Sequence, residues 1–95
     1  MISFSNKVAL VTGGSRGIGA ATVKAIVSAG GSVVIHYGSN KKAAEMLVAE
    51  IGSEQSHIVG CDLSKPGAAT MLWHDALAWK GKINIVVNNA GIFLA

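Results

Sequence analysis

The chain has 95 residues, a formal net charge of +3, a hydrophobic share of 51% and a single cysteine, Cys61. This length allows one small domain, one cysteine excludes an internal disulfide and a cysteine metal site, and the thinly spread charge is unlike a nucleic-acid-binding stripe. Because no apolar run is long enough to span a membrane and residues 1–6 do not resemble a signal peptide, we expect a cytoplasmic protein without nucleic-acid or membrane partners.

Apolar runs alternate with helix-patterned segments along the chain, which predicts three β-α units and a fourth strand. The predicted strands are Lys7 to Val11, Val33 to Ile35, His57 to Gly60 and Ile83 to Val87. Continuous apolar runs are typical of parallel strands that are buried on both faces. Since strands that alternate with helices favour right-handed crossovers, we expect an α/β fold with a parallel sheet.

Three helices are predicted between these strands, each from an apolar stripe with helical spacing. The first ends at Gly30-Gly31, and the second runs from Lys41 to Ile51. The third stops near Gly81, with Ser64 as its cap and Pro66 in its first turn. The residues expected to face the sheet are Ile18, Ala21, Ala25 and Ile26 in the first helix, Ala44, Leu47, Val48 and Ile51 in the second, and Ala69, Leu72, Trp73, Ala76 and Leu77 in the third.

A glycine-rich turn, Thr12-Gly13-Gly14-Ser15-Arg16-Gly17-Ile18-Gly19, lies between the first predicted strand and the first helix. Glycines let backbone N–H groups approach an anion, and the positive end of the helix dipole favours negative charge there. A glycine triad alone is weak evidence for a dinucleotide site. Its position between a strand and a helix favours such a site over a purely structural turn.

The spacing of this turn, Thr-Gly-x-x-x-Gly-x-Gly, resembles the fingerprint of the short-chain dehydrogenase/reductase family, especially its 3-oxoacyl-carrier-protein-reductase-like branch. Two further elements of the family follow in order, Cys61-Asp62-Leu63 and Asn88-Asn89-Ala90-Gly91. The resemblance covers the chain from Lys7 onward. It implies a Rossmann-type parallel sheet with flanking helices, in strand order 3-2-1-4, and an NAD(P)-dependent oxidoreductase that transfers a hydride between the cofactor and a small carbonyl or alcohol substrate.

The resemblance also implies which residues hold the dinucleotide cofactor. Asp62 would accept a hydrogen bond from the adenine amino group, or cap the turn before the third helix, and the two roles can coexist. Asn89 and its neighbours would line the ribose, while Asn88 would tie the fourth strand to its neighbours. The full expected set is Gly13, Ser15, Arg16, Gly17, Ile18, Gly19, Ser39, Asp62, Leu63, Asn89, Ala90 and Gly91.

The end of the second strand predicts the choice of cofactor. NAD-specific sites place an acidic residue there, about 20 residues past the glycines, for the ribose 2′-hydroxyl. Here the stretch His36-Tyr37-Gly38-Ser39 contains no acid. Arg16 resembles the basic residue of NADP-dependent reductases, and a guanidinium matches phosphate geometry. We therefore expect NADP rather than NAD; the alternative for Arg16 is a solvated loop charge.

Tyr37-Gly38-Ser39-Asn40-Lys41 has the Tyr-x-x-x-Lys spacing of the family's catalytic pair, but it follows the second strand, near the adenosine end of the cofactor. In the family that pair lies on a long helix after strand five. A general acid must lie within hydrogen-bond reach of the reacting group, so we assign no catalytic residue here. His36, His57 and His74 show no ligand spacing and are expected at the surface or at strand edges.

The family's serine and its correctly placed Tyr-x-x-x-Lys pair are missing, so we expect residues 1–95 to be the amino-terminal half of a single NAD(P)-binding Rossmann domain. Two functions remain open: an NADP-dependent oxidoreductase represented by its cofactor-binding half, and a catalytically inactive nucleotide-binding fragment or module. The uncharged segment Ile83 to Val87 would leave one sheet edge unpaired, and this predicts self-association.

Overall fold

The computed structural model describes residues 3–89 of the chain. Strands and helices alternate throughout this part. The elements are β1 (Val8–Thr12), α1 (Gly17–Ser28), β2 (Ser32–Tyr37), α2 (Lys41–Ile51), β3 (Ser56–Gly60), α3 (Ala68–Lys80) and β4 (Ile85–Asn88). None of the described helices has the length and apolar surface that crossing a bilayer requires.

The four strands form one parallel sheet in the order β3-β2-β1-β4. This confirms the predicted Rossmann-type topology. The strands are closely aligned, since Thr12 pairs with Asn88 and Tyr37 pairs with Gly60. The loops that follow the strands therefore meet along one edge of the sheet, which is where open α/β sheets bind ligands.

The core lies on both faces of the sheet. Helices α1 and α2 cover one face, where Val23, Ile26 and Leu47 pack on alternate residues of β1 and β2. Helix α3 covers the other face, where Leu72 and Ala76 pack on the remaining residues of those strands. The central strands are thus buried on both sides, which explains their continuous apolar sequences.

The predicted buried face of α1 was wrong in part. Gly19, Val23 and Ile26 are buried, whereas Ile18 is 77% exposed and Ala25 points to solvent, as does Ala21. Hydrophobic periodicity gives glycine no weight, yet Gly19 is the residue that packs directly against the end of β1. This contact sets the rotation of the helix. The apolar stripe of α2 was confirmed, with Ala44 and Leu47 fully buried.

The start and the face of α3 also differ from the prediction. The helix begins at Ala68 and its cap is Gly67, which has φ +80°, so Ser64 and Pro66 lie in the preceding turn. The buried face consists of Ala68, Leu72 and Ala76, and the last two pack on Leu10 and Val34 of the sheet. Of the other residues predicted to face inward, Ala69 and Trp73 are exposed and Leu77 is half-buried.

The fourth strand begins two residues later than predicted, at Ile85. Asn84 nevertheless pairs with β1, because its N–H donates to the carbonyl of Val8 and its side-chain oxygen accepts from the N–H of Val8, at 2.8 and 2.9 Å. A side chain therefore replaces one ladder contact at the entrance to β4.

Candidate functional site

The turn between β1 and α1 exposes the start of a helix at the carboxyl edge of the sheet. Gly13 and Gly17 have φ values of +60° and +58°, a region that favours glycine. Arg16 is the N-cap residue, its side chain makes no capping hydrogen bond, and the first turn of α1 contains no acidic residue. The first N–H groups of a helix have no intrahelical acceptor, so this end presents donors and the positive end of a dipole.

Gly19 holds this helix start close to two strand ends. The place where its side chain would lie is already occupied by the carbonyl oxygen of Gly13 and the side-chain amide of Asn89. The first turn of α1 is thereby pressed against the ends of β1 and β4. This contact requires glycine because of space, not because of backbone conformation.

Two adjoining clefts run along the carboxyl edge of the sheet. One, of about 450 Å³, is lined by Gly13, His36, Gly38, Ser39, Cys61, Asp62 and Leu63. The other, of about 390 Å³, is lined by Gly13, Ser15, Arg16, Gly38, Ser39, Asn40 and Asn89. We call these the β3-side cleft and the loop-side cleft. They share Gly13, Gly38 and Ser39, so together they form one elongated depression.

The structure brings most of the predicted site residues to these clefts. Seven of them line one cleft or both: Gly13, Ser15, Arg16, Ser39, Asp62, Leu63 and Asn89. Gly17, Ile18 and Gly19 form the adjacent first turn of α1. The remaining two, Ala90 and Gly91, lie outside the described residues. The sequence did not single out Gly38, which lines both clefts.

The carboxylate of Asp62 organises the turn that follows β3. Its Oδ1 accepts from the hydroxyl of Ser64 at 2.6 Å and from the N–H of Ser64 at 2.9 Å. These two hydrogen bonds, the side-chain one first, lower the pKa of Asp62. Ser64 is thus a hydrogen-bond partner of Asp62 and not the cap of α3. Asp62 caps the turn before α3, as considered above, through these two hydrogen bonds.

Polar side chains join the ends of β1 and β4 beneath the loop-side cleft. The hydroxyl of Thr12 donates to Oδ1 of Asn88 at 3.0 Å and accepts from the N–H of Asn89 at 2.8 Å. The Asn89 side chain donates to the carbonyl of Gly13 at 3.3 Å. Asn88 therefore ties β4 to its neighbour, as predicted, and Asn89 connects β4 to the glycine turn.

His36 is a buried residue of the site, contrary to the expectation of a surface or strand-edge position. Its ring is only 3% exposed and lies at the floor of the β3-side cleft. The N–H of Gly13 donates to its Nδ1 at 3.0 Å, and its Nε2 lies 2.9 Å from the carbonyl oxygen of Cys61. The predicted strand ended at Ile35, whereas β2 continues to Tyr37. A longer strand, buried on both faces, would have placed His36 in the core.

This geometry agrees with comparisons to known proteins. The model of the short chain dehydrogenase family matches residues 7–95. The chain belongs to the short-chain dehydrogenase family. The three motifs that carried the resemblance all lie within the matched region.

Individual relatives support the same assignment. This short-chain dehydrogenase chain is 44% identical over 88 residues to a versicolorin reductase of Emericella nidulans. Among solved structures, a 3-ketoacyl-(acyl-carrier-protein) reductase from Brucella melitensis, complexed with NADH, is 39% identical with a TM-score of 0.86. A blue fluorescent protein from a metagenomic library, in complex with NADPH, is 36% identical with a TM-score of 0.88.

The aligned regions include most of this short-chain dehydrogenase chain but a minority of each relative. They cover 90% of it against the versicolorin reductase, 95% against the ketoacyl reductase and 98% against the blue fluorescent protein. The corresponding shares of those proteins are 33%, 36% and 39%. The chain thus spans about a third of the length of the curated relatives it matches.

Tyr37, which has the family's Tyr-x-x-x-Lys spacing with Lys41, packs onto the neighbouring strand. A β-carbon on Gly60 would lie within 2.3 to 2.5 Å of Cζ, Cε2 and the hydroxyl oxygen of Tyr37. The ring therefore covers the glycine of β3. Lys41 is the first residue of α2, so the two residues lie on different elements and not on one helix.

Cys61 is the free thiol at the rim of the β3-side cleft. Desolvation by partial burial, followed by the negative charges of Asp62 and Asp75, raises the pKa of this thiol. A raised pKa lowers the fraction of Cys61 that is thiolate at a given pH. Among residues 3–89, no group of three or more His, Cys, Asp or Glu side chains is arranged to hold a metal ion.

Proposed function

We propose that the two clefts together bind one nicotinamide dinucleotide, with its adenosine half in the β3-side cleft and its pyrophosphate at the start of α1. One observation carries this proposal: a glycine turn leads into a helix start without acidic residues, directly beside a second cleft along the same sheet edge. A helix start of this kind favours phosphate groups. The NADH and NADPH complexes of two similar proteins support the same class of ligand.

The proposed contacts follow from the positions of the lining residues. The carboxylate of Asp62 would accept from the adenine amino group, and the backbone of Leu63 would lie beside the ring. The glycine turn, with Ser15 and Ile18, would surround the pyrophosphate with backbone N–H groups. Asn89 would line a ribose of the cofactor, and the family resemblance implies the same role for Ala90 and Gly91. When bound, the cofactor supplies or accepts the hydride.

We infer that NADP is preferred to NAD because of the charges around the loop-side cleft. Arg16 and Ser39 line this cleft, where a 2′-phosphate at the end of β2 would find a cation and a hydroxyl donor. Residues 36–39 contain no acid. Asp62, the acid that lines the β3-side cleft, follows β3 and is held by Ser64.

The test is a comparison of dissociation constants for NADPH and NADH. We expect tighter NADPH binding in the parent chain, with Arg16→Ala removing most of the difference. Loss of a charge-assisted contact to phosphate typically costs about 1.5–3 kcal/mol, or roughly tenfold or more in affinity. Arg16→Lys is the matched control, because it keeps the charge without the fork geometry and should retain part of the preference. Equal affinities in the parent chain would refute the NADP assignment.

We further propose that the chain represents the cofactor-binding, amino-terminal half of a single Rossmann domain whose complete form transfers a hydride between NADP and a small carbonyl or alcohol. The second candidate is a catalytically inactive nucleotide-binding module. The position of Tyr37 favours this second function for residues 1–95 taken alone. Tyr37 is the only tyrosine of the chain, and its ring packs over Gly60.

Self-association and a cytoplasmic location remain part of the proposal. Within residues 3–89, strand β4 lies at the end of the strand order, beside β1, and Val86 on it is 53% exposed. An exposed apolar edge recruits other chains. The cytoplasmic location and the absence of nucleic-acid partners stay predictions from composition.

A further inference from the structure

The buried ring of His36 connects two backbone segments that otherwise belong to different loops. Gly13 lies in the turn after β1, and Cys61 follows β3. The imidazole lies between them, with Nδ1 at 3.0 Å from the Gly13 nitrogen and Nε2 at 2.9 Å from the Cys61 oxygen. Both ring nitrogens therefore have a backbone partner, one on each side of the cleft floor.

These two partners require one particular form of the ring. The N–H of Gly13 can only donate, so Nδ1 must carry a lone pair and no proton. The carbonyl of Cys61 can only accept, so the proton lies on Nε2. His36 is consequently a neutral Nε2–H tautomer. An imidazolium has no acceptor to offer Gly13.

The connected segments form the walls of the β3-side cleft. Gly13 lines both clefts, and Cys61 directly precedes Asp62 and Leu63, the residues proposed to contact adenine. The backbone of β2 already anchors both walls, because the Gly14 N–H donates to the carbonyl of His36 at 2.9 Å and the Cys61 N–H donates to the carbonyl of Tyr37 at 3.1 Å. The rigid imidazole ring adds a direct link between the two walls through its two nitrogens. A leucine would fill a similar volume, but it would leave the Gly13 N–H and the Cys61 carbonyl without this partner.

We propose that His36 is a positioning residue for dinucleotide binding, which acts through Gly13 and Cys61 to hold the width of the cleft. This inference rests on the proposed function. Because the His36 ring contacts the glycine turn through the backbone N–H of Gly13, its contribution is separable from that of Arg16, which acts through charge.

Three substitutions test the proposal, with NADPH as the probe. His36→Leu removes both contacts, His36→Asn keeps an oxygen near the position of Nδ1, and His36→Gln reaches only the position of Nε2. Without the ring the two walls can relax in the free protein, and NADPH must bring them back on binding, so the dissociation constant for NADPH should rise roughly tenfold or more in His36→Leu. His36→Asn and His36→Gln each keep one of the two contacts, so each should recover part of this loss.

A purely structural role for His36 gives a different result. It would lower the melting temperature of the variants while leaving the NADPH dissociation constant of the folded protein unchanged. Unchanged affinity in His36→Leu would overturn the proposal. If His36→Leu does not fold, the comparison of His36→Asn and His36→Gln with the parent decides, and parental NADPH affinity in both variants would overturn the proposal.

A ligand-free measurement separates this inference from the proposed function. If the parent chain binds neither NADPH nor NADH, the proposed function fails, and the positioning role is then judged from nitrogen NMR. We expect the Nε2–H tautomer of His36 and a Gly13 amide that exchanges at least about tenfold more slowly than in His36→Leu. The Nδ1–H tautomer, or equal exchange rates, would overturn the role of His36 independently of any cofactor.

Discussion

A β-carbon on Gly19 would lie 2.3 Å from the carbonyl oxygen of Gly13. No real side chain tolerates this approach, so the first turn of α1 can rest on the end of β1 only because residue 19 is glycine. The same β-carbon would lie 2.6 Å from Nδ2 of Asn89. One glycine thus holds together the three segments that form the floor of the loop-side cleft.

We therefore expect Gly19→Ala to destabilise the fold far more than Gly17→Ala. The first change forces backbone atoms apart, at about 3 kcal/mol, the upper end for overpacking. At Gly17 an added β-carbon meets nothing within 4 Å, so only the cost of a left-handed alanine remains, about 1 kcal/mol. Urea unfolding of the two variants measures the difference. Similar stabilities would show that the helix start is not held as closely as described.

Gly38→Asp should shift the cofactor preference from NADP towards NAD. Gly38 lines both clefts, has no left-handed φ and leaves open space around an added β-carbon, so an aspartate fits without strain. Its carboxylate would repel a 2′-phosphate and accept from a 2′-hydroxyl. NADPH affinity should fall roughly tenfold or more, while NADH affinity is kept.

Gly38→Asn is the matched control, because it has the same shape without the charge and should leave the preference unchanged. Tyr37→Asp should shift the preference in the same direction, but it also removes the ring from Gly60. If the Gly38→Asp variant binds NADPH as tightly as the parent does, the 2′-phosphate does not lie beside residue 38.

Residues 1–95 alone should not oxidise NADPH with simple ketones or 3-oxoacyl thioesters. Without a positioned acid, nothing protonates the developing alkoxide. The absorbance of NADPH should stay constant, and Tyr37→Phe should behave like the parent. Reproducible turnover that disappears in Tyr37→Phe would contradict both the expected inactivity and the packing role of Tyr37.

The pKa of the Cys61 thiol depends on the charge of Asp62. Desolvation first, and then Asp62 and Asp75, raise the pKa of Cys61, so removing the Asp62 charge should lower this pKa. Asp62→Asn should then increase the thiolate fraction at a fixed mildly alkaline pH, and alkylation by iodoacetamide should accelerate roughly twofold. Ser64→Ala leaves Asp62 ionised at that pH and is the control. A slower reaction in Asp62→Asn has the wrong sign and would exclude this electrostatic coupling.

Val86→Lys should reduce self-association of residues 1–95. It places a charge on the exposed face of β4, and charged edge residues oppose strand pairing between molecules. Sedimentation velocity should show large species in the parent and fewer in the variant. Met46→Lys, on the 65% exposed side chain of α2, is the control and should change nothing.

Added NADPH should rescue the parent only in part. Ligand linkage contributes about 2.7 kcal/mol at a hundredfold excess over Kd. A monomeric parent with a cooperative melt would refute the self-association proposal.

The sequence by itself determined the order of elements, the parallel topology and the location of the glycine turn. The continuous apolar runs in β1 and β2 arise because both faces of these strands are buried. The apolar stripe of Ala44 and Leu47 arises because one face of α2 is buried. The family motifs placed Asp62 and Asn89 at strand ends, and aligned parallel strands necessarily bring such ends to one edge.

Only the tertiary structure decided the rotation of α1 and the burial of His36. Each depends on contacts between segments distant in sequence or on a residue without apolar weight. Gly19 determines the rotation of α1 because it lies in close contact with Gly13 and Asn89. His36 can be buried because Gly13 and Cys61 form hydrogen bonds with both of its ring nitrogens. Periodicity measures how apolar a position is; it does not measure which polar atoms find partners or which backbones must touch.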